Sequence, residues 1–307
     1  MLNITGKSSY RDAMETVLYN GVLPGISLDG KEFFYQNPLA DRGVHRRSSW
    51  FETPCCPPNA SRVLGTLGAY QYSTTHDEVW IHLYASGRAS LALNDSDRMT
   101  LEQDTNYPWD GTVRIKIVQA PDRTTVVRLA IPTWCHGATV RVNGGTWGTA
   151  EAGTYHCLSR TWTRQDSIEL KLPMDVRIVE AHPWIESTTG RVALMRGPLV
   201  YCFEQVDHPG NDVFDILVDP DAEWKIDYRE ELLGGISVIS GMGYCTPTEG
   251  LGLYGFSGRA ASLNTAPITL TAVPYFRWAN REIGPMQVWT RAIRRSAHTV
   301  DISAPRT

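Results

Sequence analysis

Trp50-Phe51-Glu52-Thr53-Pro54-Cys55-Cys56-Pro57-Pro58-Asn59-Ala60-Ser61-Arg62-Val63-Leu64 sets two adjacent cysteines and two prolines ahead of an apolar pattern. Ala60, Val63, Leu64 and Leu67 recur at i, i+3, i+4 and i+7, the spacing of one helical face, with Asn59 placed to cap it. The spacing predicts a helix over residues 59–71. Thiols just before a helix start sit where unpaired N–H groups and the dipole favour negative charge, which suits a thiolate nucleophile or a metal ligand. Adjacent cysteines also read as small buried apolar residues. A tetrahedral zinc site needs four ligands, and the pair offers two. From the pair alone both readings stand.

Upstream, Ser8 or Ser9 can cap a helix whose apolar positions Tyr10, Ala13, Met14, Val17 and Leu18 share a face, with Gly21 ending it. One amphipathic helix, a Gly-Pro turn and a short Phe-rich strand cannot close a core, so residues 1–75 are expected to be the remnant of a larger helical domain. After His76 the period changes to two. Val79, Ile81 and Leu83 alternate with polar or aromatic neighbours, as do Val113, Ile115 and Ile117, then Val127, Leu129 and Ile131. Val140 with Val142, and Ile168, Leu170 and Leu172, continue the pattern, with turn signals at Asn94-Asp95-Ser96-Asp97 and Asn143-Gly144-Gly145. Short strands at this spacing predict a sandwich of two antiparallel sheets over residues 76–174. A second β unit follows over residues 175–291, with strand patterns at Val176 and Ile178, Val192 and Leu194, Leu199 to Phe203, Ile268 to Pro274, and Met286 to Trp289. The Gly-rich, acidic stretch between Asp207 and Ala260 carries no clear period, and residues 292–307 read as a tail.

The chain has 307 residues, 42% hydrophobic and 20% charged, an ordinary globular composition. Lys and Arg number 29 against 33 Asp and Glu, a net charge of −4 with no basic stripe, which argues against a nucleic-acid partner. No apolar run reaches membrane-spanning length, and the start lacks a basic-then-apolar leader, so a cytoplasmic, reduced protein is expected. Cys135, Cys157, Cys202 and Cys245 are scattered singly and read as core residues. Ten tryptophans suit both sandwich cores and sugar faces. His45, His76, His82 and His136 show no metal-ligand spacing.

The run Cys55-Cys56-Pro57-Pro58-Asn59 followed by a small-residue helix resembles the hallmark of glycoside hydrolase family 127, the β-L-arabinofuranosidases. Tyr19 to Leu23, Ser27 to Gly30 and Phe33-Phe34-Tyr35-Gln36-Asn37-Pro38-Leu39 resemble the family's segments ahead of the cysteines. Arg196 to Cys202, Leu232 to Gly235 and Pro274 to Arg281 resemble its C-terminal motifs, so the resemblance spans most of the chain in order. It implies a mainly β chain: the C-terminal remnant of an (α/α)6 barrel followed by two β-sandwich domains. It further implies a retaining glycosidase in which Cys55 is the nucleophile and Cys55 and Cys56 are zinc ligands.

The family's other zinc ligands, a glutamate and a cysteine in an E-x-C arrangement, and its acid/base glutamate lie upstream of anything in this sequence. Zinc is therefore expected only if those ligands are supplied, and the chain alone is expected to be silent. The implied partners are an arabinofuranoside-type carbohydrate and an upstream barrel fragment. Glu52 reads as a loop carboxylate, and the triplet Glu52-Thr53-Pro54 departs from the family's pattern. Tyr35 is placed to hydrogen-bond a sugar or the cysteine sulfur, or simply to pack the barrel end. The alternative is a non-catalytic β-sandwich protein that binds carbohydrate or packs against a partner.

Overall fold

The computed structural model describes residues 1–248 and 265–293. The chain is mainly β behind a small helical part. Residues 294 onward, expected as a tail, lie outside the described residues, as do residues 249–264. Ala292, placed in that tail, instead ends the strand Thr290–Ala292. No helix among the described residues is long and apolar enough to cross a membrane.

The first β unit packs a four-stranded sheet on a six-stranded one. Residues whose alternation marked them as inward form its core: Val79, Ile81, Val127 and Leu129 from one sheet face Val113, Ile115, Ile168 and Leu170 from the other. Asn143 and Gly144 take positive φ values of 53° and 67°, the backbone that a tight Asn-Gly turn requires. One pairing departs from the all-antiparallel expectation. Glu78–Ile81 runs parallel to Thr124–Ile131, because the chain crosses to the facing sheet for three strands before it returns.

In the second unit the strands, together with Ala40–Arg42, form one ten-stranded sheet that folds over on itself. Its path runs from Leu199–Glu204 through Ala266–Pro274, Ile236–Cys245, Ile216–Val218 and Thr290–Ala292 to Arg191–Arg196, which pairs back onto Leu199–Glu204. The two layers are thus hydrogen-bonded at both margins. Here too one pair, Ile216–Val218 with Thr290–Ala292, is parallel. The strand Ile236–Cys245 lies in the stretch that showed no period. A Cβ at Gly241 would meet the Trp224 ring at 2.7 Å, and one at Gly243 would meet the Leu217 carbonyl at 2.7 Å as well as the Leu270 side chain, so close approach puts glycine where a β-former would mark the strand.

The helix Ser8–Val17 corrects two expectations. Lys7 rather than a serine occupies the N-cap, because the Ser8 hydroxyl donates to the Gly153 carbonyl of the middle unit. Gly21 does not end the helical path, which widens into a π turn over Leu18–Val22 and a 3₁₀ turn over Leu23–Gly25. The helix buries charge rather than its apolar face: Arg11 and Glu15 are 0% and 1% exposed. They form a bidentate pair at 2.7 and 2.8 Å, while Arg11 Nε donates to the His82 carbonyl at 2.6 Å and Tyr107 OH donates to Glu15 at 2.7 Å. Burial alone would lower the Arg11 pKa, but the Glu15 charge, backed by Tyr107, Tyr84 and Asp12, outweighs burial and holds the guanidinium protonated. Tyr19, on the π turn, packs against both β cores, and Asn20 exchanges two hydrogen bonds with the backbone of Pro198 and Val200.

Cys135, Cys202 and Cys245 are buried as expected, but Cys157 is exposed. It sits on an outward face of Thr154–Thr161, where the Arg128 guanidinium donates to its sulfur at 2.8 Å.

Two stability outcomes follow from this junction. Arg11→Ala strands the buried Glu15 carboxylate and should cost about 3–5 kcal/mol in denaturant unfolding, whereas the double Arg11→Met/Glu15→Leu variant should cost much less. His82 is held near pKa 4 by burial and by the Arg11 charge, with its ring nitrogens on Ser73 and Tyr155 at 2.6 Å each. An unfolded histidine titrates near 6.5, so as the pH falls from about 6.5 towards 4 the unfolded chain takes up a proton that the folded chain refuses. Stability should decline across that window, and His82→Gln should flatten the decline in thermal melts at pH 7 and pH 5.

Candidate active site

The cysteines and the tyrosine that faces them are held by different parts of the molecule. Phe33 pairs with Ser48 through two backbone hydrogen bonds of 2.8 and 2.9 Å, which makes a short two-stranded clip. Within it Phe34 points inward. It stacks on Trp278 at 4.9 Å and on His45 at 4.6 Å, with the Arg47 guanidinium 4.2 Å over its ring. Arg47 in turn donates to the carbonyls of Ala279, Trp278 and Pro24. Ala40–Arg42 adds to the edge of the C-terminal sheet against Pro285–Gln287, so the whole segment is seated on the second β unit. Side chains alternate along an extended backbone, so an inward Phe34 turns Tyr35 outward towards the cysteines. Phe51 braces the Tyr35 ring edge-on at 5.2 Å.

The helix carrying the cysteines begins earlier than its apolar pattern implied. It spans Cys56–Gly65 with Cys55 at the N-cap, and a separate short helix covers Gly68–Gln71. Both prolines lie inside the first turn, where a missing N–H costs nothing. Asn59 is therefore not the cap; its amide donates to the Cys55 carbonyl at 2.6 Å. Because Pro57 and Pro58 take two of the four first-turn positions, this helix start has few free N–H groups to offer a thiolate.

Side chains fill that role. Tyr35 OH lies 3.0 Å from Cys55 Sγ, and Cys55 Sγ lies 3.5 Å from Cys56 Sγ. The Tyr35 hydroxyl, and after it the Cys56 thiol, hold the Cys55 pKa below the usual thiol value. The same contacts push Tyr35 and Cys56 upward, so both stay protonated and can donate to a Cys55 thiolate. Cys55 is exposed and Cys56 half-buried on a cleft of about 320 Å³, also lined by Phe33, Asn37, Asn59 and Val63. That position removes the reading of the pair as core filler.

The pair also suits half of a zinc site. Two thiolates at about 2.3 Å from a tetrahedral ion stand about 3.8 Å apart, close to the 3.5 Å seen here. Among the described residues no third His, Cys, Asp or Glu joins them. Glu52 is exposed in the preceding loop and does not line the cleft. His45 is engaged elsewhere, with Nε2 on the Gln36 carbonyl at 3.0 Å. Asn37, which donates to the Gly21 carbonyl at 2.8 Å, and Asn59 are cleft residues that sequence reasoning did not single out as lining a site. Their signal was position, since each lies in a quoted motif that contains Tyr35 or the cysteines.

Comparison with known proteins matches residues 1–69 to the GH127 β-L-arabinofuranosidase catalytic domain. Residues 78–174 match the GH127 middle domain and residues 176–291 the glycoside hydrolase family 127 C-terminal domain. A non-reducing end β-L-arabinofuranosidase of Bifidobacterium longum subsp. longum is 34% identical over 95% of this chain, and the match takes in 46% of that protein. The crystal structure of a GH127 β-L-arabinofuranosidase from Geobacillus stearothermophilus T6 superposes with a TM-score of 0.87 at 34% identity, over 95% of this chain and 48% of that one. A GH127 β-arabinofuranosidase structure gives 0.86 at 36% identity, over 95% and 47% respectively. The chain therefore spans about half the length of the relatives it matches.

The local electrostatics predict unequal thiols. In chelator-treated protein, alkylation by iodoacetamide followed against pH should half-saturate at lower pH for Cys55 than for Cys56. Tyr35→Phe removes the donor to the thiolate and should move the Cys55 midpoint upward.

Proposed function

Because the chain belongs to glycoside hydrolase family 127, we propose that it carries the nucleophile half of a retaining β-L-arabinofuranosidase site and is catalytically silent by itself. The observation that supports this most directly is the contact line Tyr35–Cys55–Cys56 at an open cleft, inside the segment matched to the family's catalytic domain. On this reading residues 1–75 belong to the catalytic domain, while residues 76–174 and 175–291 are β domains that seat it. All six cysteines are free, which suits the reducing, cytoplasmic setting we assign.

Cys55 Sγ would attack the anomeric carbon of an arabinofuranoside, forming a C–S bond as the bond to the leaving oxygen breaks. Water then replaces sulfur at the same carbon, and two inversions give net retention. Tyr35, as a protonated donor, would hold the sulfur in line and favour its anionic form. Cys55 and Cys56 would hold zinc together with two ligands from outside the described residues, and the ion would keep the nucleophilic sulfur deprotonated. A carboxylic acid must also protonate the leaving oxygen, a contribution of about 10²–10⁴-fold, and no described residue is placed for it. We assign that acid and the remaining ligands to a helical partner segment.

The purified chain should bind little zinc by elemental analysis and show no turnover of a chromogenic β-L-arabinofuranoside, with or without added zinc and thiol reductant. Co-expression with the missing part of a relative's catalytic domain should bring both zinc and activity, and Cys55→Ser should then abolish turnover. Turnover by the chain alone that Cys55→Ser removes would show that it completes its own site. Carbohydrate binding that survives Cys55→Ser, with no turnover in any combination, would favour a non-catalytic binding protein.

A further inference from the structure

We infer that Cys55 and Cys56 form a reversible redox pair: a hydroperoxide oxidises Cys55, and the Cys56 thiol closes a disulfide to it that withholds the nucleophile until a dithiol reductant reopens the bond. The effect on turnover rests on the reading of Cys55 as nucleophile; the thiol chemistry does not.

Three features of the cleft carry this inference. The first is contact, since the two sulfurs stand 3.5 Å apart and no third atom fits between them. A disulfide is about 2.05 Å long, so side-chain rotation has only a short distance to close. The second is access. Cys55 is exposed and Cys56 half-buried on an open cleft, where a small peroxide reaches the sulfur without any opening of the protein. The third is the absence of a competing thiol. Cys135, Cys202 and Cys245 are buried, and Cys157 lies on the middle unit against Arg128, so among the described residues Cys56 is the thiol that shares the cleft with Cys55. The Tyr35 hydroxyl, 3.0 Å from Cys55 Sγ, cannot form a bond to an oxidised sulfur that a reductant would need to break.

The chemistry balances in two steps. The Cys55 sulfur attacks one peroxide oxygen; an S–O bond forms, the O–O bond breaks, and the departing oxygen leaves as an alcohol or water. That gives a sulfenic acid at Cys55. Cys56 Sγ then attacks Cys55 Sγ; the S–S bond forms, the S–O bond breaks, and hydroxide leaves as water with the Cys56 proton. Two thiols have lost two electrons and the peroxide has gained them. A dithiol returns them by exchange.

The bond is built to be labile. Neighbouring residues hold their Cα atoms about 3.8 Å apart across a trans peptide, whereas disulfides usually span about 4.4–6.8 Å. A strained, exposed disulfide is the easily reduced kind. The backbone can bend here at little cost to the helix, because Cys56 is a first-turn residue whose N–H has no helical partner and Pro57 and Pro58 have no N–H. A disulfide carries no thiolate, so closing it removes the nucleophile and both sulfur ligands together.

The reduced, chelator-treated 307-residue chain should be exposed to hydrogen peroxide, its remaining thiols blocked with iodoacetamide, and the product digested with trypsin. Cleavage after Arg47 and Arg62 releases a peptide whose cysteines are Cys55 and Cys56. That peptide should be lighter by two hydrogens, carry no alkyl group, and accept two after dithiothreitol. Cys56→Ser should stop the reaction at a Cys55 sulfenic acid that dimedone traps, and Cys55→Ser should leave Cys56 open to alkylation. Full alkylation of both cysteines after peroxide would overturn the inference, as would a sulfinic acid at Cys55 beside a free Cys56. So would loss of a single alkylation site, the mark of a bond to the backbone nitrogen, or a disulfide that joins two chains on a non-reducing gel. In the assembly co-expressed with the missing part of a relative's catalytic domain, stripped of zinc, oxidised and resupplied with zinc, turnover should be lost and then restored by dithiothreitol. A disulfide formed in full while turnover persists would overturn the control of turnover and the nucleophile reading with it. An unreactive pair in an assembly that Cys55→Ser still silences would overturn the redox pair alone.

Discussion

Everything forward of the β units hangs on a buried ion pair. Arg11 and Glu15 sit one helical turn apart, fully enclosed, each satisfied by the other and by a group on the middle unit. Such a pair is a poor source of net stability against an apolar alternative, but it is intolerant of partial loss. Its value here is positional. It fixes the rotation of the helix Ser8–Val17 against the His82 carbonyl and the Tyr107 hydroxyl, and that rotation decides which residues face outward. The π turn that follows carries Tyr19 between the two cores and Asn20 onto the start of the strand Leu199–Glu204.

The site is assembled from two supports that do not touch each other in sequence. Tyr35 takes its direction from Phe34, and Phe34 takes its place from Trp278 and Arg47, so the phenol is a projection of the C-terminal unit. The thiols belong to the helix Cys56–Gly65 and its N-cap, in which only Pro57 is buried. The 3.0 Å contact between hydroxyl and sulfur is where these two supports meet. The C-terminal β unit therefore contributes to the electrostatics of a cleft that it does not line.

Much of this was readable before any coordinates. Strict alternation in Val113, Ile115 and Ile117 or in Ile168, Leu170 and Leu172 marks a one-sided strand, and those side chains are buried. The cysteine pair and Tyr35 lie in compact motifs, which is why they could be singled out. What escaped was set by distance or by close contact. The seat of Phe34 on Trp278 joins residues far apart in the chain, and no local period encodes it. The strand Ile236–Cys245 was hidden by glycines that the Trp224 ring and the Leu217 carbonyl demand. The helix Ser8–Val17 is legible but its orientation is not: apolar periodicity reports a face without saying what lies against it, and here the β unit takes the charges. The cysteine helix starts earlier than the Asn59 cap and the apolar pattern imply, because Pro57 and Pro58 fit a first turn, whose N–H groups have no helical partner to lose.

The two prolines after the cysteines have one more consequence. Backbone amides at a helix start are permanent: they greet an anion whether or not the rest of the protein is in order. By giving up two of them, this helix leaves the acidity of Cys55 first to a hydroxyl from a separate loop and then to the neighbouring Cys56 thiol. The sulfur thus depends on the placement of a side chain from another segment more than on its own helix start. With the Phe33–Ser48 clip seated on Trp278 through Phe34, that hydroxyl stands within reach of the sulfur.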